Sequence, residues 1–266
     1  MRLGISSWTY SWAVGAPERP LDLMGLLDKA SALDVRVLQI ADNLPLDRLP
    51  ESDLAAFREG STKTGISIEV GTRGISHGNL CTYLRLAECL GSPILRVVID
   101  TTDQKPTEME VVETLKGIIV EFERAGVCLA IENHDRFTTK ALRRIVSEVG
   151  SDHLGICLDV ANSFGALEGP EVVVDTLAPL AVNLHIKDFD VFRAHHKMGF
   201  LIEGRQVGQG RLDVPWLLNK LRTAQVDPNA ILEQWTPPEE TLTQTIEKED
   251  RWATNSVRYL RQFIPD

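Results

Sequence analysis

Four side chains stand where an apolar run gives way to polar residues. Glu132 follows Cys128-Leu129-Ala130-Ile131, Asp159 follows Gly155-Ile156-Cys157-Leu158, His185 follows Val182-Asn183-Leu184, and Glu233 follows Ala230-Ile231-Leu232. Singly, each has an ordinary reading, since an acid at a strand end often caps the next helix and a lone histidine often satisfies a core hydrogen bond. Gathered on one rim they mean something else, because three unpaired carboxylates repel strongly unless a cation lies among them. Oxygen-rich ligation with one imidazole suits one divalent metal, Mn2+, Mg2+, Co2+ or Zn2+, and the residue types do not choose among these. Glu132 and Glu233 would flank whatever that metal holds. A metal on a ketone and its neighbouring hydroxyl acidifies the adjacent C–H and stabilises the enediolate left behind. One glutamate can remove the proton while the other returns one. Return to the opposite face gives epimerisation, and delivery to the next carbon gives aldose–ketose isomerisation.

Such a rim needs strands that end together. Apolar strand patterns begin near Leu3, Val37, Ile66, Ile94, Val127, Leu154, Ala181 and Ala230. Short runs this apolar read as parallel strands covered on both faces. Between them the apolar residues recur at helical spacing: Leu21 to Leu33, Ser52 to Thr64, Gly78 to Leu90, Thr107 to Ala125, Thr138 to Val149, Pro170 to Leu177, Val214 to Ala224, and Glu239 to Phe263. Ser52-Asp53 and Thr107-Glu108 suit helix starts, and Gly65, Gly91, Gly126 and Gly150 suit helix ends. Strand–helix alternation at this count predicts an α/β fold, a single (β/α)8 TIM barrel over residues 1–266. Strand ends five to eight are then neighbours on one rim. The interval after the seventh strand is the longest and leaves a loop from Asp188 to Arg211, a candidate lid that carries Phe189, Phe192, Arg193, His195, His196, Lys197 and Phe200.

Composition removes some alternatives. With 266 residues, 43% hydrophobic and 25% charged, the chain can bury a large core. A net charge of −10 argues against general affinity for nucleic acid or an anionic membrane. No apolar run is long enough to span a bilayer and the N-terminus lacks a signal-peptide pattern, so a cytoplasmic protein is expected. The cysteines Cys81, Cys89, Cys128 and Cys157 form no Cys-x-x-Cys pair and read as free thiols.

Ile131-Glu132-Asn133-His134, Leu158-Asp159, His185-Ile186-Lys187-Asp188, Gly208-Gln209-Gly210-Arg211-Leu212-Asp213 and Leu232-Glu233-Gln234-Trp235 together resemble the xylose-isomerase-like superfamily. Within it they are most similar to the sugar-phosphate isomerase/epimerase group, which includes the ketose 3-epimerases. The resemblance spans the chain and implies that Glu132, Asp159, His185 and Glu233 bind metal, with Glu132 and Glu233 as the acid/base pair. It also implies a small sugar or sugar-acid substrate and a homodimer or homotetramer. Two positions depart from the epimerases. Their substrate-contacting histidine three residues after the Asp ligand is here Asn162, and their substrate arginine after the His ligand has only an offset counterpart, Arg193. Trp235-Thr236-Pro237-Pro238-Glu239 looks like the bacterial sugar-acid members, which include 3-oxo-isoapionate decarboxylases. A 3-oxo sugar acid would lose CO2 to reach the same enediolate, and decarboxylation stands as the alternative to the leading expectation, a sugar isomerase or epimerase.

Trp8, beyond the first strand, is expected to wall a sugar ring, and His134 to orient substrate or a ligand. Lys187 shares a strand face with His185 and could stabilise charge beside the metal or pair with Glu233. Gln39 and Asp42-Asn43 are candidates for sugar hydroxyls, and Glu69 for a structural salt bridge. A nuclease with a three-zinc cluster would need more than the six histidines present.

Overall fold

The structure, a computed structural model, describes residues 1–265. Eight parallel strands close a barrel: β1 (Leu3–Ser6), β2 (Val37–Ile40), β3 (Ser67–Arg73), β4 (Ile94–Val98), β5 (Cys128–Glu132), β6 (Leu154–Asp159), β7 (Ala181–Ile186) and, after an inserted pair β8 (Phe189–Arg193) and β9 (Phe200–Gly204), β10 (Asn229–Leu232). β10 closes the ring between β7 and β1. Each barrel strand begins within one residue of its expected place. Their residues are almost all buried because helices cover the outside.

The covering helices are α1 (Ser11–Val14), α2 (Leu23–Ala32), α3 (Glu51–Thr64), α4 (His77–Leu90), α5 (Glu108–Ala125), α6 (Thr139–Val149), α7 (Pro170–Leu177), α8 (Val214–Thr223) and α9 (Leu242–Leu260). Each lays an apolar stripe on the barrel, as Val111, Leu115, Ile118 and Phe122 do from α5. Burying each such side chain contributes roughly 1.5–3 kcal/mol. Thr107 and Glu110 form a capping box on α5, and the four expected glycines end α3, α4, α5 and α6 in the left-handed conformation. The start of α3 differs from expectation. Pro50 is its N-cap and makes no side-chain cap bond, while the Ser52 hydroxyl turns to its neighbour Asp53. No described helix is long and apolar enough to cross a membrane.

The expected loop at 188–211 is instead built around an antiparallel hairpin, with Phe189 paired to Gly204 and Arg193 to Phe200. Phe189-Asp190-Val191-Phe192 and Phe200-Leu201-Ile202 are aromatic and β-branched, which favours strand over coil. One buried side chain fixes the base. Asp188 Oδ1 accepts from the amides of Phe189 (2.8 Å) and Leu212 (3.0 Å), and Oδ2 from those of Gly208 and Gly210 (both 2.9 Å).

Candidate active site

Strand register sets the levels of the four strand-end residues. Asp159 on β6 pairs with His185 on β7, His185 pairs with Ile231 on β10, and Glu132 on β5 pairs with Cys157. Glu132 therefore lies one layer below Asp159, with Glu233 just above Leu232. All four are at most 2% exposed. His185 Nδ1 lies 3.6 Å from Glu132 Oε2, 3.8 Å from Asp159 Oδ2 and 3.5 Å from Glu233 Oε2. The four, with Cys157, form two overlapping triplets sharing His185, one with Glu132 and Cys157 and one with Asp159 and Glu233. Cys157 was expected to be only a buried thiol, yet its sulfur lies within the first triplet.

The opposite edge of the imidazole determines what Nδ1 can do. His185 Nε2 is 2.8 Å from Gln39 Oε1. Gln39 Nε2 faces Glu69 Oε2 at 3.1 Å, and a carboxylate only accepts, so the amide orientation is fixed and Nε2 of the histidine is the donor. Nδ1 itself makes no hydrogen bond. A proton there would serve one of three carboxylate oxygens that all stand beyond hydrogen-bond range. A cation among them would be shared by all. The residues fit a divalent metal on that ground.

The rim carboxylates repel one another less than their number implies, because two cations already lie among them. Arg96, 2% exposed on β4, contacts Glu132 Oε2 through Nε and Asp42 Oδ1 through Nη1 (2.8 Å). Lys187 Nζ lies 2.9 Å from both Asp159 Oδ2 and Glu233 Oε2, and donates to Asn162 Oδ1 at 3.3 Å. Burial pushes the Lys187 ammonium toward losing its proton, but the Asp159, Glu233 and Glu132 charges outweigh this and raise its pKa well above the usual range. Burial likewise pushes the Glu233 carboxyl up, and the Lys187 and Arg96 charges help bring it well down. Asp42, buried against Arg96 and Arg73, is also held low by those charges.

Side-chain and backbone donors fix the carboxylates. Asn162 Nδ2 donates to Glu132 Oε1 (2.6 Å), and Ser6 Oγ donates to Glu233 Oε1 (3.0 Å). Asp159 Oδ1 accepts from the amides of Ala161 (2.7 Å) and Asn162 (2.8 Å). Asn133 bonds both backbone groups of Asp159, so the residue after Glu132 holds the next strand end in place.

Above this layer opens a cavity of about 190 Å³ lined by Trp8, Arg73, Arg96, Glu132, His134, Asn162, Lys187, Glu233, Gln234 and Trp235. Trp8, His134, Asn162 and Lys187 therefore line the same space. Arg193 does not. It is exposed on β8, with its guanidinium 4.3 Å from the Phe200 ring. Arg73 lines the cavity instead. Its Nε bonds Asp42 (2.9 Å), Nη1 bonds the Asp100 carbonyl (3.2 Å), and Nη2 has no hydrogen-bond partner among the described residues. Gln39, a candidate for sugar hydroxyls, is instead buried behind His185. Glu69 is held by the amides of Gln39, Asn183 and Asn229 rather than by a salt bridge. Arg96 went unnoticed in the sequence, where its one signal is a charge inside the apolar run Ile94-Leu95-Arg96-Val97-Val98.

A closed parallel barrel with acids and a histidine on the carboxyl rim defines a known class, and the chain belongs to it: residues 27–263 match the Xylose isomerase-like TIM barrel family. A 3-oxo-isoapionate decarboxylase of Pectobacterium atrosepticum is 33% identical over 261 residues, covering 98% of this chain and 95% of that protein. Among solved structures, a D-psicose 3-epimerase in the presence of D-fructose aligns over 100% of both chains with a TM-score of 0.75 and 17% identity. A Mycobacterium smegmatis protein of this barrel type in complex with magnesium covers 96% of this chain and is itself covered over 97%, with a TM-score of 0.69 and 14% identity. The IolI protein with a bound zinc atom covers 97% and is covered over 99%, with a TM-score of 0.69 and 19% identity. At these identities the structures show the fold.

Proposed function

We propose that the chain is a divalent-metal-dependent decarboxylase of a 3-oxo sugar acid. The charge on the cavity wall carries the reading: Arg73, Arg96 and Lys187 face Glu132 and Glu233, and Arg73 Nη2 is uncommitted. A guanidinium meets a carboxylate through paired, charge-assisted hydrogen bonds, whereas a neutral ketose offers it only single uncharged acceptors. The 33% identical decarboxylase supports the same class.

Glu132, Asp159, His185 and Glu233 would hold the metal. When bound, it supplies electrophilic stabilisation of negative charge developing on a keto oxygen. Arg73 orients the substrate carboxylate, Trp8 and Trp235 wall the carbon chain, and His134 and Asn162 meet its hydroxyls. Lys187, between Asp159 and Glu233, adds positive charge where the enediolate forms. Cleavage of the bond between C1 and C2 releases CO2 and leaves its electron pair in the enediolate. One proton delivered to C2, relayed by Glu132 or Glu233, completes the reaction. Both Glu233 oxygens already accept from donors, Ser6 and Lys187, which lowers its basicity and weighs against direct C–H abstraction by it.

A second reading, sugar isomerisation or epimerisation through the same enediolate, is favoured by one feature. Glu132 and Glu233 both line the cavity, from strands separated by β6 and β7. The two readings separate in D2O with Mn2+ or Mg2+, using 3-oxo sugar acids and ketoses as substrates. CO2 release with one deuteron incorporated, lost in Glu132→Gln and Glu233→Gln and with KM raised in Arg73→Met, is the expected outcome. C–H exchange on ketoses without CO2 would put the second reading first.

A further inference from the structure

Away from the rim, His77 and Cys81 stand one turn apart on α4, and Glu121 reaches them from α5. Cys81 Sγ is 3.4 Å from His77 Nδ1 and 3.5 Å from Glu121 Oε2, and His77 Nε2 is 3.9 Å from Glu121 Oε1. Zinc bonded at about 2.0–2.3 Å to nitrogen, oxygen and sulfur has tetrahedral ligand–ligand edges of roughly 3.3–3.7 Å. The two edges from Cys81 Sγ match that scale, and one ligand atom from each of the three residues lies within 4.8 Å of the other two, a gap that side-chain rotation closes. Cys81 and Glu121 line a surface depression of about 450 Å³, so a fourth position is open to water.

We propose that His77, Cys81 and Glu121 form a second cation site, for Zn2+ or another thiophilic divalent ion, on the outer helical layer. The donor chemistry separates it from the rim. Three carboxylates and one imidazole suit hard or borderline ions, while a thiolate with an imidazole and one carboxylate selects softer ones. Binding forms a metal–sulfur bond and releases the Cys81 thiol proton, now directed at Glu121, to solvent. The bound ion would clamp α4 to α5, elements joined otherwise by side-chain packing.

Co2+ serves as the spectroscopic probe for this site. Titrated into the intact protein, it should produce a thiolate-to-cobalt charge-transfer band that is complete by about two ions per chain, the rim taking the other, and is displaced by Zn2+. Cys81→Ser should abolish the band, and His77→Ala should weaken the binding that produces it by roughly tenfold or more. Both side chains are at least partly exposed, so both variants should keep the circular dichroism of the parent. No band at cobalt in excess of about two ions per chain, or a band that survives Cys81→Ser and therefore arises at another thiol such as Cys157, would overturn the proposal.

Discussion

Replacing Lys187 with methionine should weaken the metal-free protein and tighten its grip on metal. The ammonium lies 2.9 Å from one oxygen each of Asp159 and Glu233, the same oxygens that face His185 Nδ1. Removing it leaves two buried carboxylates with one partner fewer, a loss of about 3–5 kcal/mol. For a chain of this length that is a fall in Tm of roughly 6–10 °C in chelator. A divalent ion bonded to those oxygens comes within about 4–5 Å of Nζ. At an effective dielectric constant of 20 the repulsion is about 7–8 kcal/mol, and swinging the lysine away to about 8 Å still leaves roughly 4 kcal/mol. Lys187→Met should therefore bind Mn2+ at least about 100-fold more tightly, a gain of about 2.7 kcal/mol. Calorimetric titration with Mn2+, paired with thermal melts with and without the ion, reads both effects. Equal or weaker Mn2+ affinity in the variant would refute the view that the lysine and the metal share these oxygens.

Three other outcomes follow from the packing. Arg96→Met strips the buried cation from both Glu132 and Asp42, and denaturant unfolding in chelator should show a loss of about 3–5 kcal/mol. Glu249, fully buried, accepts from Ser11 and from the amides of Trp12 and Ala13; burial, with Asp250 nearby, pushes its pKa up to about 7. The folded state then binds this proton more tightly than the unfolded one, so stability should fall as pH rises from about 4.5 to 7, by roughly 3 kcal/mol from this group. Urea midpoints across that range should flatten in Glu249→Gln. At Gly204 a Cβ would stand 2.1 Å from the Trp235 carbonyl oxygen, so Gly204→Ala must lift β9 off the cavity wall, costing about 1–3 kcal/mol and changing Trp235 fluorescence.

The barrel was legible because its signals are local. A buried parallel strand is a short apolar run wherever it occurs, and the left-handed glycines that close α3 to α6 follow directly on their helical patterns. The four rim residues were legible for the same reason, each ending such a run. Their partners were not. Gln39 meets His185 across 146 residues, and Arg96 meets Glu132 across 36, separations that no periodicity encodes. The hairpin was hidden by the charged turn Arg193-Ala194-His195-His196-Lys197, which reads as coil and breaks its two strand patterns apart. Arg193 was misplaced with it: a residue on β8 stacks on its cross-strand partner Phe200 instead of entering the cavity.

Asp188 has a consequence for how this protein can change over generations. Its carboxylate closes both ends of the insertion, accepting the amides of Phe189 on one side and of Gly208, Gly210 and Leu212 on the other. The exposed turn between Arg193 and Phe200 can therefore change length or chemistry while the strands that carry His185 and Glu233 keep their spacing, since the staple, not the turn, fixes where the chain leaves and rejoins the barrel.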